Sequence, residues 1–139
     1  MTMAFSAPLQ AALYDLLTSA PELAGLEERI YDDAPHRDRT AGAAPYVTIG
    51  DETVTPWNTA TERGAAHEAV IRVHAPQRGF LVVKEIAAAI VDLIAVNPPA
   101  PSIGAVISHE FTGARTRREE GGALRRIDLS FKFIIEDAV

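Results

Sequence analysis

Two stretches of the chain carry apolar residues at helical spacing. The apolar positions of the first stretch, residues 8–18, are Leu9, Ala12, Leu13, Leu16 and Leu17. Their spacing of three and four residues predicts an amphipathic helix that begins near Ser6. The second stretch, residues 80–96, has a wider apolar stripe and predicts a second helix, which Pro98 and Pro99 end.

Alternating apolar and polar residues predict the strands. Short or alternating runs predict strands at residues 30–31, 46–49, 66–74 and 105–112. The clearest strand is the last, whose apolar positions are Ile127, Leu129, Phe131, Phe133 and Ile135. Polar residues stand between them, as expected for a strand with one buried face. Burial of each such side chain contributes roughly 1.5 to 3 kcal/mol, so we expect this strand to be essential for folding.

The order of these elements predicts the fold class. Helix, strands, helix and strands indicate a single α+β domain over residues 1–139. We expect two layers, in which the two helices pack on one face of a mainly antiparallel sheet. An open sheet has edges, and an uncovered edge accepts a further strand from a neighbour.

The predicted strands leave two polar stretches, which we interpret as loops. Residues 51–65 form a gap that is too long for an ordinary hairpin and predict an extended arm or loop. Trp57, the only tryptophan, lies in this gap and either folds back onto the sheet or anchors a partner. Residues 113–123 form a second loop, rich in arginine. It either docks onto an acidic protein or a phosphate backbone, or is a solvated loop partly neutralised by Glu119 and Glu120.

Composition and charge exclude several classes of protein. Hydrophobic residues make up 47% and charged residues 23% of the chain, which is typical of globular domains, and there is no cysteine for a disulfide or a thiolate metal site. The net charge of −6 argues against nonspecific binding to a nucleic-acid backbone, but not against a pore through which DNA passes. No apolar run approaches the ~20 residues of a membrane span, and the N-terminus lacks signal-peptide features. We therefore expect a product of the bacterial cytoplasm.

No residue pattern predicts a catalytic centre. The four histidines, which form no compact ligand motif, are His36, His67, His74 and His109. An acidic cluster around the first of them consists of Asp32, Asp33 and Asp38. We interpret this cluster as a solvated loop rather than as an acid–base or magnesium site. A P-loop, a nucleophile elbow and a dinucleotide fingerprint are absent, so we expect no enzyme, no metal and no cofactor.

The order of several short motifs resembles that of a known family. The helical motif Leu9-Gln10-Ala11-Ala12-Leu13-Tyr14 leads to Ile30-Tyr31-Asp32 and, after a proline-containing loop, to Pro45-Tyr46-Val47-Thr48-Ile49-Gly50. Ile71-Arg72-Val73 is then followed by a glycine and a long helix. This order, over about residues 9–93, is similar to that of the phage tail-completion or tail-terminator proteins, which also occur in the gene-transfer-agent particles of alphaproteobacteria.

The resemblance implies a structural role without enzymatic activity. Such proteins form a ring, with six subunits expected, that caps the tail tube, ends tube polymerisation and provides the surface for head–tail joining. The implied partners are further copies of the chain, the tail tube protein, a head–tail connector protein, and DNA that passes through the lumen without specific binding. The implied place is the tail–neck junction of a phage-like particle that is assembled in the bacterial cytoplasm.

The resemblance also gives candidate interface residues. In the arm at residues 51–65, the candidates for contact with the next subunit or the tube are Thr53, Thr55, Trp57 and Arg63. The docking candidates in the arginine-rich region are Arg115, Arg117, Arg118 and Arg125. The lumen candidates, whose carboxylates would repel phosphate, are Asp32, Asp33 and Asp38. Two alternatives stay open: a head-side neck or connector ring subunit, and a small ligand-binding domain or enzyme.

Overall fold

A computed structural model describes residues 2–32, 45–56, 64–75, 80–119 and 124–137 of the chain. Helix α1 spans Ser6–Ser19 and helix α2 spans Leu81–Val96, and short 3-10 turns occupy Thr2–Phe5 and Pro21–Leu23. The strands are β1 Ile30–Tyr31, β2 Tyr46–Pro56, β3 Gly64–Ala75, β4 Ala105–Glu119 and β5 Leu124–Glu136. Both helices and all the strands predicted from the sequence are therefore present.

The strands form one five-stranded sheet in the order β1-β2-β3-β5-β4. β1 runs parallel to β2, and the other three pairings are antiparallel. The sheet is thus mixed, and with the two helices it confirms the predicted α+β class. β1 and β4 are its two edges.

One face of the sheet is apolar and buried. The five apolar positions predicted for β5 are all buried, and the register places Phe131 beside Ala69 and Leu129 beside Ile71 of β3. Residues of both helices belong to the same core, among them Leu9, Leu13, Leu17, Val83, Ile90 and Ile94. The prediction that β5 is a core strand with one buried face is confirmed. We call the opposite side of the sheet the outer face.

The strand ends predicted on either side of the arm or loop at residues 51–65 are wrong, because both strands extend into this stretch. β2 continues through Pro56 and β3 begins at Gly64, with Thr53 paired to Glu68 and Thr55 to Ala66. The ladder shifts its register between Thr48 and Asp51, so apolar and polar positions exchange faces there. When the alternation of apolar and polar residues reverses within a strand, the sequence pattern wrongly indicates that the strand has ended. The rest of the gap lies outside the described residues.

The predicted loop at residues 113–123 is also wrong over its first half. β4 continues to Glu119 and pairs with β5 as far as Leu124. Two register shifts, at residues 106–108 and 111–113, again break the alternation. β4 is an edge strand with exposed residues on both faces, so its second half carries charged side chains where a loop was expected.

α1 begins at Ser6, as the sequence predicted, but the Ser6 side chain does not cap it. The N-cap residue is Phe5, and no side chain caps the helix. The Ser6 hydroxyl instead donates a hydrogen bond to the Glu52 carboxylate of β2. Sequence spacing could not show this contact, because its partners are 46 residues apart.

Candidate functional site

The outer face of the sheet carries charged side chains from three strands. Asp128 of β5 lies in the middle, with Arg72 of β3 as its register partner on one side and Arg115 of β4 on the other. Two residues earlier on β5, Arg126 pairs with Arg117 of β4. We call Arg72, Arg117, Arg126 and Asp128 the Asp128 cluster.

A single carboxylate holds the three guanidinium groups of the Asp128 cluster. Arg126 Nε lies 2.7 Å from Asp128 Oδ1, and Arg126 Nη2 donates to Asp128 Oδ2 at 3.1 Å. Arg72 Nε lies 3.4 Å from Oδ1, and Arg117 Nε lies 3.6 Å from Oδ2. The Asp128 side chain is only 15% exposed, whereas that of Arg117 is 42% exposed. Arg72 also pairs with the Asp51 carboxylate, so the cluster with Asp51 retains an excess of positive charge.

His74 closes the cluster on the β2 side without adding charge. Its ring stacks on Tyr46 with centroids 4.5 Å apart, and its Nε2 lies 2.9 Å from Thr48 Oγ1. Burial, and to a smaller extent the charges of Arg126 and Arg72, lower the pKa of His74 to about 4, while Asp128 acts in the opposite direction. The imidazole is therefore neutral near pH 7, and the charge of this face at that pH comes from the arginines.

Two further arginines lie on the other side of the β4–β5 ladder. Arg118 and Arg125 are register partners, and each guanidinium carbon lies 5.6 Å from the centroid of the Phe80 ring. Phe80 directly precedes α2, and Lys84 Nζ lies 5.9 Å from the same ring. Cation–π contacts of this kind hold arginine side chains over an aromatic face. Arginines thus occupy both sides of the same end of the ladder.

The structure corrects the setting of the four predicted docking residues. They were assigned to a loop, but all of them lie on paired strands. Those of β4, Arg115, Arg117 and Arg118, are exposed, and Arg125 of β5 is half-buried. A strand fixes the spacing of such side chains more closely than a loop does. The sequence prediction did not single out Arg72 and Asp128, whose role depends on pairing between distant strands.

The other predicted interface residues do not join this cluster. Thr53 and Thr55 are exposed on the far part of β2, and Asp32 is exposed beside β1, where its carboxylate accepts a hydrogen bond from Gln10 Nε2 at 2.8 Å. The predicted residues Asp33, Asp38, Trp57 and Arg63, together with His36, lie outside the described residues. The structure therefore places Asp32 and the arginines at opposite edges of the sheet.

A second polar group lies within the core. His67 of β3 is fully buried, and its Nδ1 lies 3.1 Å from Glu52 Oε2, while the Ser6 hydroxyl bonds to the same carboxylate. The arrangement of Ser6, His67 and Glu52 differs from that of a hydrolytic triad, since the Ser6 hydroxyl bonds to the carboxylate and not to the imidazole. The network connects α1 with β2 and β3. Its only signal in the sequence is that His67 falls in register with the apolar face of β3.

Within the described ranges, no three potential ligand side chains are grouped to hold a metal ion. No helix in the described part of the chain is long and apolar enough to span a membrane.

The chain is similar to proteins of known type over nearly its whole length. Residues 11–136 match the model of the family described as Tail completion protein gp17. Among solved structures, it is similar to a chain described as "Virion of native gene transfer agent (GTA) particle", with 35% sequence identity and a TM-score of 0.85. That similarity covers 96% of this chain and 98% of the other. No curated protein matches the sequence.

Proposed function

We propose that this chain, which belongs to the Tail completion protein gp17 family, forms a ring. This ring ends the tail tube of a phage-like particle. Membership of this family supports a structural role in a phage-type tail. The ring stops tube polymerisation and presents the surface to which the head side is joined. The observation that carries the proposal is the similarity, over nearly the whole chain, to a chain of a gene transfer agent virion.

The shape of the sheet supports this role. Both helices and one face of the sheet contribute to a single apolar core, which supports an arrangement in two layers with the outer face left for partners. β4 is a 15-residue edge strand that carries exposed apolar residues as well as arginines, and Phe111 is 43% exposed. Arginine and aromatic residues are enriched at protein interfaces. We assign β4 to contacts within the particle.

We propose further that the ring has six subunits and that DNA passes through its lumen without specific binding. The net charge of −6 supports passage, because an acidic lining repels phosphate. Exposed Asp32 is the described lumen candidate. The β2–β3 extension that carries Thr53 and Thr55 is proposed to contact the next subunit or the tube protein. The role requires no enzymatic step, and assembly takes place in the bacterial cytoplasm.

Deletion of the gene tests the proposal. Particles from the deletion strain are scored by negative-stain electron microscopy for tail length and head attachment, with wild-type complementation as the control. We expect overlong tails that are not joined to heads. Tails of normal length beside separate heads would instead move the chain to the joining step or to a head-side connector ring. Intact infectious particles would contradict a structural role altogether.

A further inference from the structure

The β4 edge of the sheet is basic in an otherwise acidic chain. Residues 115–126 contain five arginines and two glutamates, although the whole chain carries a net charge of −6. Arg115, Arg117 and Arg118 are exposed along β4. The ion pairs between described residues do not include Arg115. Register shifts and charges on an edge strand disfavour simple strand addition by an identical edge. The partner of this edge is therefore expected to be an acidic surface.

The opposite edge of the sheet is acidic. The exposed acidic residues of α1 and of the segment that leads through β1 are Asp15, Glu22, Glu27, Glu28 and Asp32. The only basic residue among the first 32, Arg29, is half-buried, and its Nε donates to the Pro45 carbonyl at 2.9 Å. Residues 2–32, which the structure describes, thus offer carboxylates on this side of the molecule with no exposed cation among them.

A groove on this acidic side has the chemistry of an arginine receptor. It is open, has a volume of about 390 Å³, and is lined by Ala7, Gln10, Ala11, Tyr14, Asp15 and Asp32. Tyr14 is 41% exposed, so its ring is available to a side chain that enters the groove. A guanidinium group pairs with carboxylates and stacks on an aromatic face, and both are present here.

The arginines of β4 cannot reach this groove within one chain. The edges are separated by the full width of the five-stranded sheet, roughly 19 Å at ~4.8 Å per strand. We propose that the arginine edge of one copy, at Arg115, Arg117 and Arg118, docks against the acidic groove of a second copy. This inference rests on the proposed function, because it names the contact between neighbouring subunits of the ring.

The two patches differ, so the proposed contact is heterologous. Each copy uses its arginine edge towards one neighbour and its acidic groove towards the other, which closes a ring when the rotation between copies permits it. The contact depends on charge and weakens as salt rises. A symmetric contact between two β4 edges would instead end at a dimer.

Engineered cysteines can trap this contact, because the chain has no cysteine of its own. Ala11 lines the groove, and Thr116 lies between two of the arginines of β4. Both positions are exposed, and the substitutions Ala11→Cys and Thr116→Cys change no charged residue. Particles that carry the double variant are treated with a short bismaleimide cross-linker. We expect a ladder of dimers, trimers and larger multimers of the chain, and no ladder from either single variant. The matched control joins Thr116→Cys to Ala88→Cys on the exposed side of α2 and should give no ladder.

Particles that contain the chain but give no ladder would overturn the docking proposal and leave the proposed function intact. A dimer from Thr116→Cys alone would also overturn it, since that result indicates symmetric pairing of β4 edges. Particles that lack the chain would contradict the proposed function instead. The same cross-linking on the purified chain then decides the docking question by the presence or absence of the ladder.

A charge exchange tests the chemistry of the contact. In the double-cysteine background, we expect Arg115→Glu or Asp15→Arg alone to reduce the multimers by about tenfold or more. The two changes together restore the attraction with its sign reversed, and the ladder should return. The control Glu85→Arg, on the exposed side of α2, should have no effect. Failure of the exchanged pair to restore the ladder would contradict pairing between these patches.

Discussion

The two faces of β5 divide the molecule into a part that folds it and a part that is available for contact. Alternate residues bury five apolar side chains in the core, while Arg126 and Asp128 on the opposite face belong to a charged cluster. Buried or half-buried ion pairs contribute little to stability compared with apolar residues of the same size. The charged side is therefore expected to add less to the stability of the fold than the apolar side does, which favours a role in recognition.

The largest effect is expected on the buried face. Phe133 is 0% exposed and stacks near Phe131, so Phe133→Ala removes a packed ring and leaves a cavity. We expect the free energy of unfolding to fall by about 3 to 5 kcal/mol. Chemical denaturation measures this, with Lys132→Ala on the outer face as the matched control. A loss for Phe133→Ala no greater than that for Lys132→Ala would break the distinction between the faces.

A smaller effect is expected from His74, the buried polar residue of the outer face. Its pKa is about 4 in the folded chain and near 6.5 when unfolded, so between these values the unfolded state binds more protons. The contribution of His74 to the free energy of unfolding is fully present above pH 6.5. It is lost as the pH falls towards 4, which lowers the free energy of unfolding by on the order of 3 kcal/mol. His74→Phe keeps a ring against Tyr46 but cannot titrate. As the pH falls from 6.5 to 4, the free energy of unfolding of His74→Phe should fall less steeply than that of the unchanged protein. Equal slopes in the two proteins would contradict a lowered pKa at His74.

Removal of the charge of Asp128 should have a moderate effect. Asp128→Asn leaves three guanidinium groups close together without their common counterion. We expect a loss of about 2 kcal/mol in the free energy of unfolding, since the site is only partly exposed. High salt should recover part of this loss by screening the repulsion. Replacement of Arg72, Arg117 and Arg126 by methionine in the Asp128→Asn background should recover more of the lost free energy of unfolding. If neither high salt nor these replacements recover it, the loss arises from packing and not from repulsion.

The smallest effect on stability is expected at Arg115. This side chain is exposed, so Arg115→Ala should change the free energy of unfolding by no more than about 0.5 kcal/mol. Tail completion in complemented particles should nevertheless be impaired, because Arg115 is assigned to the contact between copies. Glu85→Ala, at a position on α2 that is also exposed, is the matched control and should support normal particles. Normal particles with Arg115→Ala would remove Arg115 from the contact.

The sequence predicted the parts of the fold that have regular apolar periodicity. The apolar face of β5 and both helices were predicted because burial repeats there without interruption. The second halves of β2 and β4 were missed because register shifts exchange the faces of each strand. An edge strand exposed on both sides has no alternation to detect, which is why Arg115 and Arg117 were assigned to a loop.

The candidate site was predictable only in its composition. The arginines near the end of the chain were recognised as a group, but their carboxylate partner Asp128 was not. Its importance comes from Arg72, which lies far away in sequence and adjacent only through the β3–β5 register. Sequence spacing likewise gave no sign that Glu52 connects Ser6 with His67.

The central claim is that this chain stands at one end of the tail tube. The most direct test is gold labelling of a histidine-tagged copy in intact particles, with the label positions recorded along each tail by electron microscopy. We expect a single cluster of label at the junction between tail and head. Label along the whole tube, on the head shell, or absent from purified particles would contradict the claim.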